Sequence, residues 1–205
     1  KYGFGQSVGW PLSGESKGTL APVSQWDGLT ISRLPTGYAV GATPMQVHLA
    51  MATLANDGVR LQPKILKRVI DPAGDVTLPL EPTKGERVVS VQTARNMREM
   101  LLKVVGPEGT ARRAVLPGYA VAGKTGTSRK IINGQYSLSH HVGSFSGFFP
   151  AENPEVVITV VVDDAHVEGP AYGGVVAAPV FRSIGEKVIP HLAIRKPEKW
   201  EPFIV

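Results

Sequence analysis

Nine consecutive residues, Glu155-Val156-Val157-Ile158-Thr159-Val160-Val161-Val162-Asp163, restrict this chain more than any other stretch. Every side chain between the two acidic ends is β-branched. Such side chains lose rotamer freedom in a helix and pack well on a pleated surface, so the run is read as a strand. It is apolar at nearly every position, which predicts burial on both faces. Edge strands carry charge, proline or a bulge to discourage pairing with other chains, and this run has none inside it. It therefore calls for a neighbour on each side. One is at hand: Val142–Phe149, reached through the short connection Pro150-Ala151-Glu152-Asn153-Pro154, which implies an antiparallel pair. The other row of backbone groups is left open, and a buried unpaired group costs about 1–3 kcal/mol. The expectation is that residues 1–205 are not an autonomous folding unit and that a further segment lies beside Val156–Val162.

The rest of the chain reads as elements around that sheet. Residues 1–42 are rich in Gly, Pro and Ser, with consecutive turns over Gly9–Ser16, and form a loop-rich segment. Residues 43–118 hold helices and a hairpin. Thr43 and Pro44 start a helix as N-cap and first residue, and Asn56-Asp57-Gly58 ends it. Lys64–Ile70 and Val76–Leu80 flank Asp71-Pro72-Ala73-Gly74-Asp75 as a hairpin. Ser90 caps a second helix to about Val105, with Val91, Ala94, Met97, Leu101 and Val104 at helical spacing. Gly109-Thr110-Ala111 opens a short helix carrying Arg112 and Arg113. Residues 119–190 supply the strands Tyr119–Gly126, Val142–Phe149 and Glu155–Asp163, then a helix from Val175 to about Ile189. Residues 191–205 are a loosely held tail. The sum is one domain of the α+β class, an antiparallel sheet flanked by helices.

Composition narrows the function. The 205 residues suffice for one domain or most of one, and 42% hydrophobic with 19% charged residues is ordinary for a globular protein. The formal net charge of +5 is spread in single Lys and Arg residues without aromatic interleaving, which argues against nucleic acid as a partner. There is no cysteine, so disulfides and thiolate chemistry are excluded. The longest apolar run, Val156–Val162, is too short to span a bilayer. The chain opens at Lys1-Tyr2-Gly3 without a start Met and reads as a fragment or a processed product.

Chemistry concentrates at Gly123-Lys124-Thr125-Gly126-Thr127, which closes the strand run Tyr119–Gly123. Period 2 places the hydroxyls of Thr125 and Thr127 on one face. Gly126 between them allows close approach to the backbone. A cation, two hydroxyls and an open backbone suit a site that holds a carboxylate beside a reacting carbonyl. A solvated edge strand carrying a lysine is the competing account of the pentapeptide alone. Other candidates are weaker. His140-His141 point opposite ways and sequence places no third ligand, so they read as a solvated loop and no metal is assigned. Asp163-Asp164 could be a carboxylate pair but reads first as a polar strand end, and Arg112-Arg113 could meet an anionic substrate but read first as a solvated helix face. No residue pattern calls for a cofactor.

The ordered set of motifs resembles the transpeptidase domain of the class B penicillin-binding proteins. The stretches that carry the resemblance are Tyr2-Gly3-Phe4-Gly5-Gln6, Leu12-Ser13-Gly14-Glu15, Gly37-Tyr38-Ala39-Val40-Gly41-Ala42-Thr43-Pro44-Met45-Gln46, Lys124-Thr125-Gly126-Thr127 and Tyr172-Gly173-Gly174-Val175-Val176-Ala177-Ala178-Pro179-Val180-Phe181. The last looks most like the division and sporulation branch. The resemblance implies the penicillin-binding and serine β-lactamase-like fold and D,D-transpeptidation of peptidoglycan stem peptides through an acyl-serine, with β-lactams as inhibitors. It implies catalytic roles for Lys124, beside the serine network, and for Thr127, whose backbone N–H is one of two oxyanion donors. It makes Thr125, Gly126 and Thr127 substrate-binding, with Tyr172 as a wall of the acyl-donor pocket; a tyrosine packed on the sheet edge is the plain alternative. The family needs a Ser-x-x-Lys nucleophile and a Ser-x-Asn as well. Neither occurs in these 205 residues. The resemblance therefore implies the C-terminal part of the domain, the serine lying in an N-terminal segment of the same protein. It also implies an envelope location outside the cytoplasm, an N-terminal membrane anchor and divisome partners. A serine β-lactamase or β-lactam sensor, and a non-catalytic envelope scaffold, are the alternative functions.

Overall fold

The three strand runs of the second half join in one antiparallel sheet, and the remaining elements are arranged about it. The computed structural model describes residues 1–9, 13–66, 68–79 and 85–197. The first segment is loop-rich as expected. Thr19–Leu20 (β1) pairs with Val40–Gly41 (β2), with the four-residue helix Thr30–Arg33 (α1) between them. The turns expected over Gly9–Ser16 lie partly outside the described residues. One buried side chain ties several loops of this segment to α2. Gln46, 1% exposed, donates through Nε2 to the carbonyls of Gln6 (2.9 Å), Lys17 (2.8 Å) and Gly3 (3.3 Å), and its Oε1 accepts the Thr43 N–H at 3.0 Å. A buried amide requires such partners.

Gln46 belongs to Pro44–Ala55 (α2), which begins at a capping box: Thr43 Oγ1 accepts the Gln46 N–H at 3.2 Å while the Gln46 side chain reaches back. Val59–Arg60 (β3) follows and pairs with Glu86–Arg87 (β6). Among the described residues the expected hairpin is Arg68–Ile70 (β4) against Val76–Pro79 (β5), and Lys64, Ile65 and Leu66 take no part in it; Lys67 lies outside the described residues. Asp71 fixes that turn by accepting the N–H groups of Ala73 and Asp75, each at 2.9 Å. Leu80 lies outside the described residues. Val91–Val105 (α3) starts at Ser90, whose Oγ accepts the Thr93 N–H at 3.0 Å, and ends at Gly106. The short helix expected after Gly109 is a single 3-10 turn, Arg112–Ala114.

The sheet is Ala122–Ile132 (β7), Gln135–Phe149 (β8) and Val156–Asp163 (β9), in the order β7-β8-β9. Two expectations change here. The first two strands run far beyond residues 126 and 142, because Asn133 and Gly134 take φ of 53° and 78° and close a two-residue turn. His140 and His141 thus lie in β8, not in a loop. In addition, β9 has a helix over each face but is only partly buried. Its residues are half-buried, and Val161 is 41% exposed. The covers are α2 at Thr159 and the C-terminal helix Ala178–His191 (α5) at Ile158, Val160 and Val162. Solvent enters from the side, since among the described residues no strand pairs beyond β9.

The core has two layers. Phe148, Met51, Leu54, Leu101 and Ala122 form the layer under α2 and α3, the inner face. Phe145, Phe149, Phe181, Leu116 and Tyr119 form the outer layer, with the Phe145 and Phe181 rings 4.8 Å apart, edge to face. The C-terminal helix expected from Val175 to Ile189 is two pieces, Gly173–Val176 (α4) and Ala178–His191 (α5). Pro179 breaks it: proline has no N–H to offer the Val175 carbonyl one turn back. The tail from residue 198 onward lies outside the described residues. The architecture is α+β, an antiparallel sheet flanked by helices.

Candidate active site on the free edge of the sheet

Among the described residues, β7 is the outer strand of the sheet on the side away from β9. Gly123 lets it lie flat there, because a Cβ at this position would stand 2.5 Å from the Phe145 ring and 2.8 Å from the Ser146 carbonyl. From Gly123 the faces alternate. Lys124 is exposed, and its Nζ donates to the Thr125 carbonyl at 2.8 Å. A Cβ at Gly126 would lie 2.5 Å from Ser144 Oγ, so the group that comes close to this glycine within the chain is the β8 hydroxyl.

Thr125 and Thr127 share the other face. Thr125 Oγ1 lies 2.9 Å from Thr110 Oγ1, and Thr127 Oγ1 accepts the Gly173 N–H at 3.1 Å. Both hydroxyls line a cavity of about 560 Å³ together with Thr110, Arg112, Arg113 and Tyr172. Arg112 and Arg113 therefore face the site rather than open solvent alone. Arg113 Nη1 stands 3.5 Å from the Val175 carbonyl, the acceptor that Pro179 leaves without its helical partner. Thr127 and Tyr172 also line a second cleft of about 520 Å³, along the extended part of β7, with Tyr38, Arg129, Tyr136 and His141. Tyr172, at 56% exposure, is not packed on the sheet edge but stands between the two hollows. Tyr38 and Tyr136 meet edge to face at 6.2 Å. Sequence reasoning missed Thr110, Tyr38 and Tyr136. Tyr38 stood in a quoted motif, and Thr110 in the Gly-Thr-Ala triplet before the arginines, yet nothing local linked either to β7.

The strand end holds more than a polar cap. Lys130 Nζ lies 2.9 Å from Asp163 and 3.9 Å from Asp164, and His140 Nδ1 lies 2.8 and 2.9 Å from the two Asp164 oxygens. The hydrogen bond from His140 holds the Asp164 carboxyl below the usual range, and the bond to Asp163 raises the Lys130 ammonium. His141 turns the other way, into the second cleft. On the inner face, His48 Nδ1 lies 3.1 Å from Thr159 Oγ1, itself 2.7 Å from the buried Ser146 Oγ. Burial lowers the His48 pKa from its ordinary value.

The profile of the penicillin binding protein transpeptidase domain matches residues 1–186. The chain belongs to that family. Among curated relatives it is 39% identical to the penicillin-binding protein PbpB of Mycolicibacterium smegmatis over 192 residues, 90% of this chain and 30% of that one. It is 38% identical to the stage V sporulation protein D of Bacillus subtilis, over 97% of this chain and 30% of the relative. Penicillin-binding protein 3 of Mycobacterium tuberculosis, solved in complex with aztreonam, superposes with a TM-score of 0.86 at 34% identity, over 100% of this chain and 46% of that one. The apo transpeptidase domain of Burkholderia pseudomallei penicillin-binding protein 3 gives 0.83 at 32% identity, over 97% of this chain and 57% of its own. The chain spans about 30% of the length of these curated relatives. The fold class and the family expected from the motifs both stand.

Proposed function

We propose that these residues are the C-terminal part of a peptidoglycan D,D-transpeptidase domain of the division or sporulation type, acting through an acyl-serine held in an N-terminal segment of the same protein. The observation that carries the reading is the division of β7 into two faces: an ammonium on one, and two hydroxyls on the other, along an edge unpaired among the described residues. A peptide carbonyl laid against that edge has the serine and Lys124 on the inner side. Lys124 Nζ, resting on the Thr125 carbonyl, is free to exchange that bond for one to the serine network when negative charge develops. The Thr127 N–H is one of two oxyanion donors, and a donor of that kind lowers the barrier by roughly 3 kcal/mol. Thr125 and Thr127 hold the carboxylate of the stem peptide or of a β-lactam, Gly126 keeps the backbone accessible, and Tyr172 walls the acyl-donor side.

Serine Oγ attacks the penultimate D-alanyl carbonyl and the terminal D-alanine leaves with a proton on its amine. The amine of a neighbouring stem peptide then attacks the ester, and the serine hydroxyl is regenerated. The protein works in the cell envelope outside the cytoplasm, anchored by an N-terminal helix, with divisome proteins as partners. The test is the complete protein incubated with a fluorescent penicillin. The expected result is one long-lived adduct on a serine outside residues 1–205, together with transfer of a stem peptide to an acceptor amine. Rapid hydrolysis of the adduct would make it a β-lactamase, and no adduct at all would make it a scaffold.

A further inference from the structure

The cavity behind Thr125 and Thr127 contains groups that the transpeptidase reading leaves without a task. A hydroxyl has one proton to donate and two positions at which to accept. At Thr127 the Gly173 N–H fills an accepting position, so the proton stays available to a ligand. At Thr125 the partner is Thr110 Oγ1, 2.9 Å away, and either oxygen can be the donor. When an anion sits at Thr125, the Thr125 proton turns to it and Thr110 must supply the donor in their shared bond. The chain Thr110 to Thr125 to anion then runs in one direction and polarises along its length.

Charge completes the arrangement. Two neutral hydroxyls are a weak means of taking a carboxylate out of water. Period 2 puts Lys124 on the opposite face, where it does not line this cavity. The charged side chains that do line it are Arg112 and Arg113. Arg113 spends one Nη on the Val175 carbonyl at 3.5 Å, leaving other N–H groups of its fork open to an anion.

We propose that Thr110 is a positioning residue, and that Arg112 and Arg113 are specificity-determining residues, for a carboxylate-bearing ligand held by Thr125 and Thr127. Thr110 sets the direction of the hydroxyl chain. The two guanidiniums set the positive potential that selects an anionic ligand over its neutral analogue. This rests on the reading of Thr125 and Thr127 as the carboxylate holders.

The test uses the complete transpeptidase and two probes, benzylpenicillin and its uncharged methyl ester, each followed by its second-order acylation rate. Thr110→Val is expected to lower the penicillin rate about tenfold and to leave the ester rate within about twofold, whereas Thr110→Ser keeps both within about threefold. The double variant Arg112→Gln with Arg113→Gln is expected to lower the penicillin rate selectively and to flatten its dependence on ionic strength. A Thr110→Val variant that slows both probes equally, or neither, overturns the proposal. Thr125→Val separates it from the reading beneath. If Thr125→Val abolishes the preference for the charged probe while Thr110→Val leaves it intact, only the present inference fails. If Thr125→Val retains that preference, both fail.

Discussion

Along β7 the sequence reads lysine, threonine, glycine, threonine, serine, arginine, lysine; along β9 it reads valine, valine, isoleucine, threonine, valine, valine, valine. The two strands flank the same β8 and are both unpaired on their far sides among the described residues. Their chemistry is opposite. β7 carries charges that keep another strand from docking, and glycines that let a small group come close. β9 has no such device, and its two faces are roofed by α2 and α5. An open edge that is guarded suits a ligand; an open edge that is unguarded and roofed suits a strand. On the function proposed above, the contrast gives the two sides of one sheet different tasks.

The largest expected effect is on the guarded edge. In the complete protein, Lys124→Ala should slow acylation by a fluorescent penicillin by about a hundredfold or more while leaving the melting temperature nearly unchanged. A change under about threefold would remove Lys124 from the chemistry. Next comes a matched pair of lysines. Val160→Lys places a charge among partly buried apolar residues and should cost roughly 2–4 kcal/mol in urea unfolding. Ser128→Lys, on exposed β7, should stay within about 0.5 kcal/mol. Equal costs would erase the distinction between the edges. A third measurement takes residues 1–205 alone, which should self-associate through β9. Val161→Lys, on the side chain already 41% exposed, should shift the sedimentation profile toward monomer. A sharp, monomeric, cooperatively melting wild-type chain would contradict the assignment of β9.

The smallest effect is a pH dependence on the inner face. His48 has a folded-state pKa below its ordinary 6.5, through burial between α2 and β9. As pH falls, the unfolded chain takes up that proton first, so stability is full above 6.5 and declines as pH drops below it. His48→Gln should flatten this part of the stability profile. An unchanged slope between pH 7 and 5 in the variant would assign the dependence to other groups.

Much of this was legible without coordinates. Thr43 and Ser90 mark helix starts because their side-chain oxygens accept N–H groups of the first turn, and Pro44 because it has no N–H to leave unpaired there. The faces of Lys124 and of Thr125 with Thr127 follow from strand period alone. The long ribbon of β7 and β8 was not legible, since residues 128–141 bury neither face, residues 128–134 show no alternation, and the short alternation Gln135-Tyr136-Ser137-Leu138-Ser139 serves no core. The break at Ala177 was written in Pro179 but lay inside an otherwise apolar helical run. Thr110 reaches Thr125 only because α3 and its following turn fold back on the sheet, and contacts of that kind leave no local mark. The β9 run showed what the strand requires on its sides; it did not show how far those sides are covered.

Gln46 has one more consequence, for the way the first segment comes apart. Its side chain joins carbonyls of three separate loop positions to the first turn of α2. Loops that would otherwise fray one at a time share a single fastening, so the backbone around Gly3, Gln6 and Lys17 is expected to open together with the start of α2. Amide exchange across them should then report a common opening free energy rather than a gradient rising from the chain end.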